Sequence, residues 1–292
     1  LVMVTILVVL LVIGAPIGVA IGMSSAVSMI CMIPADVSFA TSAQRIFAGS
    51  NSFSLIAIPF FILAGNIMNN GGIATRLVNC AKVISGRMPG ALAQSNVVAN
   101  MLFGAISGSG AAAAAAMGGT IGPLEEKEGY DKNYSTAVNV ASAPVGMLIP
   151  PSNTMIVYSS VAGSVSIAAL FMAGYIPGLL WGGAVMILAG IMAKKRGYQA
   201  EQRVPVKVAL KTFWQAIPSL LLIVIVIGGI LGGIFTATEG SAIAVVYATV
   251  LSLIYKAFKI KDIPRIVLEA AKTTGIITFM IGLSSIMSWA MA

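Results

Sequence analysis

Two short stretches of this sequence place glycine, serine and proline in apolar surroundings, where they could present backbone groups to an ion. The first is the run Ser-Gly-Ser-Gly at residues 107–110, which six alanines follow. Its glycines permit a tight reversal of the chain. One helix would end near Ser107 with free carbonyl groups, and the next would begin near Ser109 with free amides. Carbonyl and hydroxyl oxygens suit a small hard cation, whereas the positive N-terminal end of a helix suits an anion.

The second stretch covers residues 146–153 and contains two consecutive prolines. Pro150 and Pro151 lack amide hydrogens and disfavour helix immediately before them, so carbonyl groups upstream are left free. Ser152 and Asn153 can cap a helix that follows. Irregular backbone at membrane depth is tolerated only where it is buried in protein or lines a cavity. The stretch therefore predicts a broken helix with a functional role.

Each of these features also has a purely structural explanation. The small residues at 107–110 could serve packing, which is also the better explanation of the alanines, and a double proline could simply kink a helix. The flanking Gly146 and Ser-Asn exceed what a kink requires. Glu239 fits either an intramembrane carboxylate or a helix cap. The acidic run at 125–128 is typical of a solvated face.

The composition indicates a membrane protein. Hydrophobic residues make up 58% of the 292 residues and charged residues 9%, whereas a soluble domain carries roughly a quarter charged residues. No histidine is present, which removes the usual general base and metal ligand. The two cysteines form no CxxC pair, so neither a metal site nor a disulfide framework is indicated. The net charge of +8 lies in short loops between apolar segments, and we do not expect nucleic-acid binding.

The sequence predicts an all-α, polytopic membrane protein. A re-entrant helical hairpin is expected at 91–124 and a broken transmembrane helix at 134–165. Residues 34–52 are predicted to be a polar loop, residues 73–85 an interfacial amphipathic helix, and residues 194–211 and 259–272 basic segments. Membrane spans are predicted at residues 17–33, 53–68, 167–192, 214–235, 240–258 and 275–292. Residues 1–13 are too short to span and are expected to be the end of a first span that begins upstream.

The distribution of charge predicts the topology. If the hairpin enters and leaves on one side, alternation of the spans places every one of the 17 lysines and arginines except Arg45 on the same side. Cytoplasmic loops carry such an excess of basic residues. We therefore expect the basic loops to be cytoplasmic and residues 34–52 to be periplasmic.

A weak internal repeat supports the same architecture. Residues 15–21 resemble residues 237–243, and Arg45-Ile46 resembles Arg265-Ile266, at an offset of about 220 residues. An odd number of crossings separates the copies, so the second would be inverted, as in many secondary transporters. We interpret residues 1–213 as the first repeat and 214–292 as the start of the second. This interpretation expects residues upstream of Leu1, and about 130 further residues with a second hairpin.

Four motifs resemble the large membrane subunit of tripartite ATP-independent periplasmic (TRAP) transporters. They are Asn-Met-Leu-Phe-Gly-Ala-Ile-Ser-Gly-Ser at 100–109, Gly-Tyr-Asp at 129–131, Leu-Ile-Pro-Pro-Ser at 148–152 and Ala-Gly-Tyr-Ile-Pro-Gly-Leu-Leu at 173–180. The resemblance covers essentially the whole chain. Residues 141–154 are most similar to the branch that transports sialic acid.

The resemblance implies an ion-transporter-like elevator fold in the bacterial inner membrane. It also implies sodium-coupled import of a small organic anion, such as a dicarboxylate or a sugar acid, with no organic cofactor and no enzymatic activity. The implied partners are a small four-helix membrane subunit, separate or fused, and a periplasmic substrate-binding protein. Carried over to this sequence, the sodium site is formed by Ser107, Ser109, Gly146, Met147, Ile149 and Ser152. The substrate site is expected at Gly108, Gly110, Pro150, Pro151 and Asn153.

Two other functional classes compete with a coupled transporter. A passive anion channel would need no coupling-ion site, and flux independent of sodium would favour it. An intramembrane serine hydrolase could use Ser107 or Ser109, but the chain has no histidine and no evident buried lysine to activate a serine. ATP-driven transport has no support, because no Walker motif is present.

Overall fold

The computed structural model describes residues 1–163, 165–198 and 205–292, and its described residues contain helices and no strand. This confirms the predicted all-α class. Two short 3₁₀ turns, Phe53–Ile56 and Ile260–Asp262, complete the regular structure. The helices are α1 (Val2–Val12), α2 (Ile17–Ile30), α3 (Ala35–Ser50), α4 (Ala57–Asn70), α5 (Ile73–Ser85), α6 (Ala91–Ser107), α7 (Gly110–Thr120), α8 (Gly122–Lys127), α9 (Lys132–Ser142), α10 (Val145–Leu148), α11 (Asn153–Ala162), α12 (Ile167–Lys195), α13 (Val206–Leu231), α14 (Ala237–Ile254) and α15 (Ile263–Met291).

Five helices of the described chain are long and apolar enough to cross a membrane. A sixth is counted if α9–α10 and α11, which are bent by 49° at their break, form one broken span. The predicted broken helix is thus present, although Ser164 near its end lies outside the described residues. The first two predicted spans are the short apolar helices α1 and α2. The spans suited to a bilayer are Phe53–Asn70, Ile167–Lys195, Lys207–Leu231, Ala237–Ile254 and Ile263–Met291.

The chain divides into two compact units. The first comprises residues 1–56 and 271–292. Its core contains Met29, Leu283 and Ile286, and Arg45 lies over the ring of Trp289 at 5.7 Å. The second unit, residues 57–270, holds both predicted stretches. The proposed repeats at 1–213 and 214–292 stay a prediction.

Three expectations from the sequence are wrong. Residues 34–52 are not a loop, because Ala35–Ser50 form α3. The polar residues of this segment favour a loop when taken alone, but Ser38 and Ser42, one turn apart, form a buried face of the helix. The basic segment 259–272 is not a separate arm, since α15 begins at Ile263 and runs on as one helix. The other basic segment, 194–211, is not among the three errors. It includes residues 199–204, which lie outside the described residues.

The third error concerns the acidic run. Glu125 is 1% exposed, whereas Glu126, Lys127 and Glu128 are exposed as expected. Residues 125–127 lie in the short helix α8 and Glu128 follows it, so successive side chains point in different directions. One of them must therefore face the neighbouring helices, and sequence alone does not indicate which.

The membrane topology can be tested by single-cysteine labelling. The native Cys31 is exposed and would be replaced by serine, while Cys80 is buried. Gln44 in α3 and Lys207 in α13 are both exposed and suit a cysteine substitution. Because basic residues stay on the cytoplasmic side, an impermeant maleimide added to intact spheroplasts should label Gln44→Cys and leave Lys207→Cys unlabelled. Both variants should react after permeabilisation, which serves as the control. Labelling of Lys207→Cys in intact spheroplasts would show that the topology is wrong.

Candidate functional site

The chain reverses between α6 and α7 through two residues. Gly108 ends α6 in the left-handed region, with φ of 61°, and Ser109 is extended. Residues on both legs of this turn belong to one apolar cluster, which contains Leu92 and Val97 from α6 and Met117 from α7. The two helices therefore lie side by side, and the predicted helical hairpin is confirmed. Its tip lies at residues 107–110.

The broken helix has the predicted interruption. Helix α10 ends at Leu148, and α11 begins at Asn153. Ser152 is buried, and its hydroxyl donates to the carbonyl of Met147 and accepts from the amide of Met155 at 3.5 Å. It thereby ties the end of one half-helix to the start of the next. In the hairpin, Ser109 caps α7 in the same way by accepting from the amide of Ala112 at 3.3 Å.

The tip of the hairpin lies directly against the break. The side-chain amide of Asn153 donates to the carbonyl oxygen of Ser107 at 3.3 Å. A Cβ added to Gly108 would lie 2.8 Å from the backbone nitrogen of Asn153, so no larger residue fits there without a shift. The two stretches picked out from the sequence therefore form one site. The oxygen Oδ1 of Asn153 is buried and has no hydrogen-bond partner within the described residues.

A second contact, one to two turns below the tip, holds the two elements together. A Cβ built on Gly104 would lie 2.3 Å from Cα of Gly146, and the reverse construction gives the same distance. Backbone therefore packs on backbone at this crossing. Beside it, Nδ2 of Asn100 lies 2.8 Å from Oγ of Ser142 and 3.0 Å from Oδ1 of Asn139.

Most residues predicted for the site meet at the tip and the break, but their environments differ. Ser107, Gly108, Ser152 and Asn153 are buried together. Ser109, Met147 and Ile149 are half-buried. Pro150 and Pro151 are buried in the connection between the half-helices. Gly146 packs on Gly104, and Gly110 contacts Met147, which gives both glycines a packing role whatever else they do.

Sequence reasoning missed the supporting residues on α12. Gly174, Gly178 and Gly182 repeat every four residues and are buried on one face of this helix. A Cβ on Gly174 would lie 2.2 Å from the carbonyl oxygen of Leu148, and one on Gly178 would lie 2.8 Å from Cγ1 of Ile149. This face therefore receives the break. The four-residue spacing, which is typical of close helix packing in membranes, was the available signal.

On the other side, α4 supports the tip, because a Cβ on Gly65 would lie 3.1 Å from Cα of Ser107. An apolar cavity of about 310 Å³ opens beside the break, lined by Met147, Leu148 and Tyr158 among others.

Glu239 lies outside this site and is a helix cap. Its carboxylate accepts from the amide of Thr236 at 2.7 Å, and the Thr236 hydroxyl accepts from the amide of Glu239 in return. Of the two explanations offered for Glu239, an intramembrane carboxylate or a helix cap, the structure supports the cap.

The comparisons with known proteins identify the family of this chain. The family model described as "Tripartite ATP-independent periplasmic transporter, DctM component" matches residues 4–292. The chain belongs to this family. Its members are components of transporters and not enzymes, and they reside in the bacterial inner membrane.

Three relatives show how broad the similarity is. The uncharacterized protein YgiK of Salmonella typhimurium is 51% identical over 269 residues, which is 92% of this chain and 62% of YgiK. The C4-dicarboxylate TRAP transporter large permease protein DctM of Rhodobacter capsulatus is 36% identical over 266 residues, which is 86% of this chain and 60% of that protein. The sialic acid TRAP transporter large permease protein SiaM of Vibrio cholerae is 37% identical over 256 residues, which is 86% of this chain and 59% of that protein. The chain thus spans about 60% of the length of these relatives.

The contact between Gly104 and Gly146 makes a prediction about stability. In Gly104→Ala the added methyl group would collide with backbone, which cannot move aside as a side chain can. Overpacking of this kind costs about 1–3 kcal/mol, so the midpoint of thermal unfolding in detergent should fall. Gly119→Ala in α7 is the matched control, since nothing lies within 4 Å of its added Cβ, and its midpoint should stay or rise slightly. Equal midpoints for the two variants would contradict the close crossing.

Proposed function

We propose that this DctM-family chain forms the ion and substrate site of a sodium-coupled importer of a small organic anion. The observation that carries the proposal is the contact between the hairpin tip and the helix break, in which Asn153 bridges to the carbonyl of Ser107. Two helix interruptions at one place concentrate free backbone groups in the interior of a membrane protein. Such groups require partners there, and an ion with its co-transported anion would supply them.

The electrostatics of the site favour a monovalent cation. No Asp, Glu, Lys or Arg occurs in residues 88–124 or 133–193, so the site has no formal charge of its own. Oxygen dipoles must then do the binding, from carbonyl groups and from the hydroxyls of Ser107, Ser109 and Ser152. The unpaired Oδ1 of Asn153 adds one buried acceptor. Sodium fits such a neutral set of oxygens better than a divalent ion, which favours carboxylate ligands.

The role proposed for Asn153 follows from this geometry. The substrate site expected from the sequence includes Asn153, but in the structure its side-chain amide donates to the carbonyl of Ser107, and its buried oxygen has no hydrogen-bond partner within the described residues. We therefore assign Asn153 to the cation. The anion would meet the N-terminal ends of α7 and α11, which carry a partial positive charge. Bound sodium would neutralise the carbonyl ends and strengthen the attraction for the anion, which couples the two ligands.

The substrate is proposed as a class only. The two relatives named for sialic acid and for C4-dicarboxylates are 37% and 36% identical to this chain, so overall identity does not favour the sialic-acid branch. The apolar cavity beside the break supplies no charged contact. We propose a small carboxylate, delivered by a periplasmic binding protein and transported together with a small four-helix subunit, separate or fused. Transport would proceed by an elevator movement of the hairpin and the broken helix.

Uptake into proteoliposomes tests the function. The complete transporter would be reconstituted with its binding protein and offered sialic acid, C4-dicarboxylates and other sugar acids, with and without an inward sodium gradient. We expect uptake of at least one carboxylate that depends on sodium, because the site needs the cation to hold the anion. Potassium in place of sodium is the control. Uptake that is equally fast without sodium would favour the passive channel instead.

Two variants test where the ion binds. Ser152→Ala removes the hydroxyl that joins the half-helices, and Pro150→Ala restores an amide hydrogen at the break. Both should raise the sodium concentration for half-maximal uptake by roughly five- to tenfold, equivalent to about 1–1.4 kcal/mol, and leave the affinity of the binding protein for its ligand unchanged. Ser166→Ala is the matched control, because Ser166 caps α12 with the same geometry away from the break. Unchanged sodium dependence in both break variants, with normal expression, would place the ion elsewhere.

A further inference from the structure

A cavity of about 380 Å³, lined by several polar side chains, lies at the end of the hairpin away from its tip. It is half-open and is lined by residues of the legs α6 and α7, the short helix α8 and helix α9. None of the residues predicted for the transport site lines it. Its lining includes Asn96, Gly118, Glu125, Tyr130, Ser135 and Asn139.

Glu125 is the chemically conspicuous residue of this cavity. Its side chain is 1% exposed, and neither carboxyl oxygen has a hydrogen-bond partner within the described residues. Two further polar atoms of the lining are buried and unpaired, Nδ2 of Asn96 and Oγ of Ser135. Buried polar groups are satisfied in the large majority of cases. Four unsatisfied atoms around one cavity indicate a ligand that supplies the missing partners.

No side chain among the described residues forms an ion pair with this carboxyl group. Lys132 also lines the cavity, but it is exposed and forms no ion pair with Glu125 in the described part of the chain. Glu126, another exposed residue of the lining, carries the same charge as Glu125. Helices α6 and α7 contain no ionisable group. Tyr130 and Tyr134 lie close by, and Arg196 is already paired with Asp131 at 2.9 Å.

Burial raises the pKa of the Glu125 carboxyl to about 7, and the Ser135 hydroxyl opposes the rise although it lies outside hydrogen-bond geometry. The carboxyl is therefore poised between its neutral and charged forms at physiological pH. A cation in the cavity would stabilise the charged form. In its absence a proton serves the same purpose.

We propose that this cavity is a second ion site, in which the carboxylate of Glu125 binds one small monovalent cation in exchange for a proton. A single buried carboxylate balances a single positive charge. No group of three or more acidic or cysteine side chains that could hold a metal ion occurs among the described residues, which disfavours a divalent ion. At about 30 Å³ per water molecule the cavity has room for roughly a dozen, so the ion would keep part of its hydration shell.

The cavity is joined to the transport site by buried amide side chains. Oδ1 of Asn96 accepts from Nδ2 of Asn100 at 2.8 Å, and this same nitrogen lies 2.8 Å from Oγ of Ser142. Asn100 and Ser142 flank the crossing of Gly104 and Gly146. Occupancy of the cavity can therefore influence how the hairpin packs on the broken helix. The ion site itself does not rest on the proposed transport function.

Infrared difference spectroscopy of the purified transporter tests this site through the carbonyl absorption of protonated carboxyl groups. In a buffer whose only cation is choline, one buried carboxyl should titrate with a midpoint near pH 7. Sodium chloride, compared with choline chloride at equal ionic strength, should lower that midpoint by at least one pH unit, and potassium chloride measures selectivity. Glu125→Gln should abolish the signal, and the exposed Glu126→Gln should retain it.

Several outcomes would overturn the proposal. A midpoint in the ordinary range near pH 4.5, or one that neither sodium nor potassium moves relative to choline, would do so. Ser152→Ala alters the helix break and should leave the shift intact, so a shift that vanishes in this variant would assign the effect to the break. The titration of the unaltered protein decides the question even if Glu125→Gln fails to fold. Glu125→Asp, which retains a carboxyl and should displace the absorption band, would then supply the assignment.

Discussion

The close crossing of Gly104 and Gly146 is the contact on which the site depends. At this point the backbone of the hairpin leg meets the backbone of the broken helix with no side chain between them. Dispersion attraction is greatest where backbones approach this closely, and in a membrane it replaces much of the hydrophobic driving force. The contact fixes the distance between the two interruptions. Asn153 can reach the carbonyl of Ser107 only because the elements are already this close.

The neighbouring helices continue the same principle around the site. The glycine face of α12 receives Leu148 and Ile149, and Gly65 of α4 supports Ser107. Small residues thus surround the break on several sides, which leaves its backbone groups buried within protein, as the interior of a membrane requires. The price of this arrangement is low tolerance to added volume. It also lets the hairpin and the broken helix form one packed body, a precondition for moving them together.

An ion pair and stacked aromatic rings join the start of α9 to the end of α12. Asp131 at the start of α9 pairs with Arg196 after α12, and the ring of Tyr198 stacks on Tyr130 at 4.3 Å between centroids. The hydroxyl of Tyr198 accepts from the amide of Asp131 at 2.8 Å. Because Asp131 and Arg196 are substantially exposed, their ion pair contributes modestly, and the stacked rings do more to join these helix ends. Glu125, in contrast to this exposed pair, is a carboxyl group buried inside the protein.

Local chemistry determined a large part of this protein from the sequence alone. Composition and apolar periodicity specified a helical membrane protein. Glycine and proline specified the hairpin turn at 107–110 and the break before Asn153, because both residues act on the backbone within a turn of their own position. The capping role of Ser152 was equally local.

Tertiary structure decided what depends on residues distant in sequence. The polar residues of Ala35–Ser50 suggest a loop, but packing buries two of their serines and the segment forms a helix. The glycines of α12 can be recognised as a packing surface only when the structure shows that the end of α10 lies against them. The free oxygen of Asn153 is defined by a partner 46 residues away. The sequence around Glu125 predicts a surface residue, but in the structure α6, α7 and α9 pack around it and bury it. Burial depends on the assembled helices, so the segment that carries the charge does not reveal it.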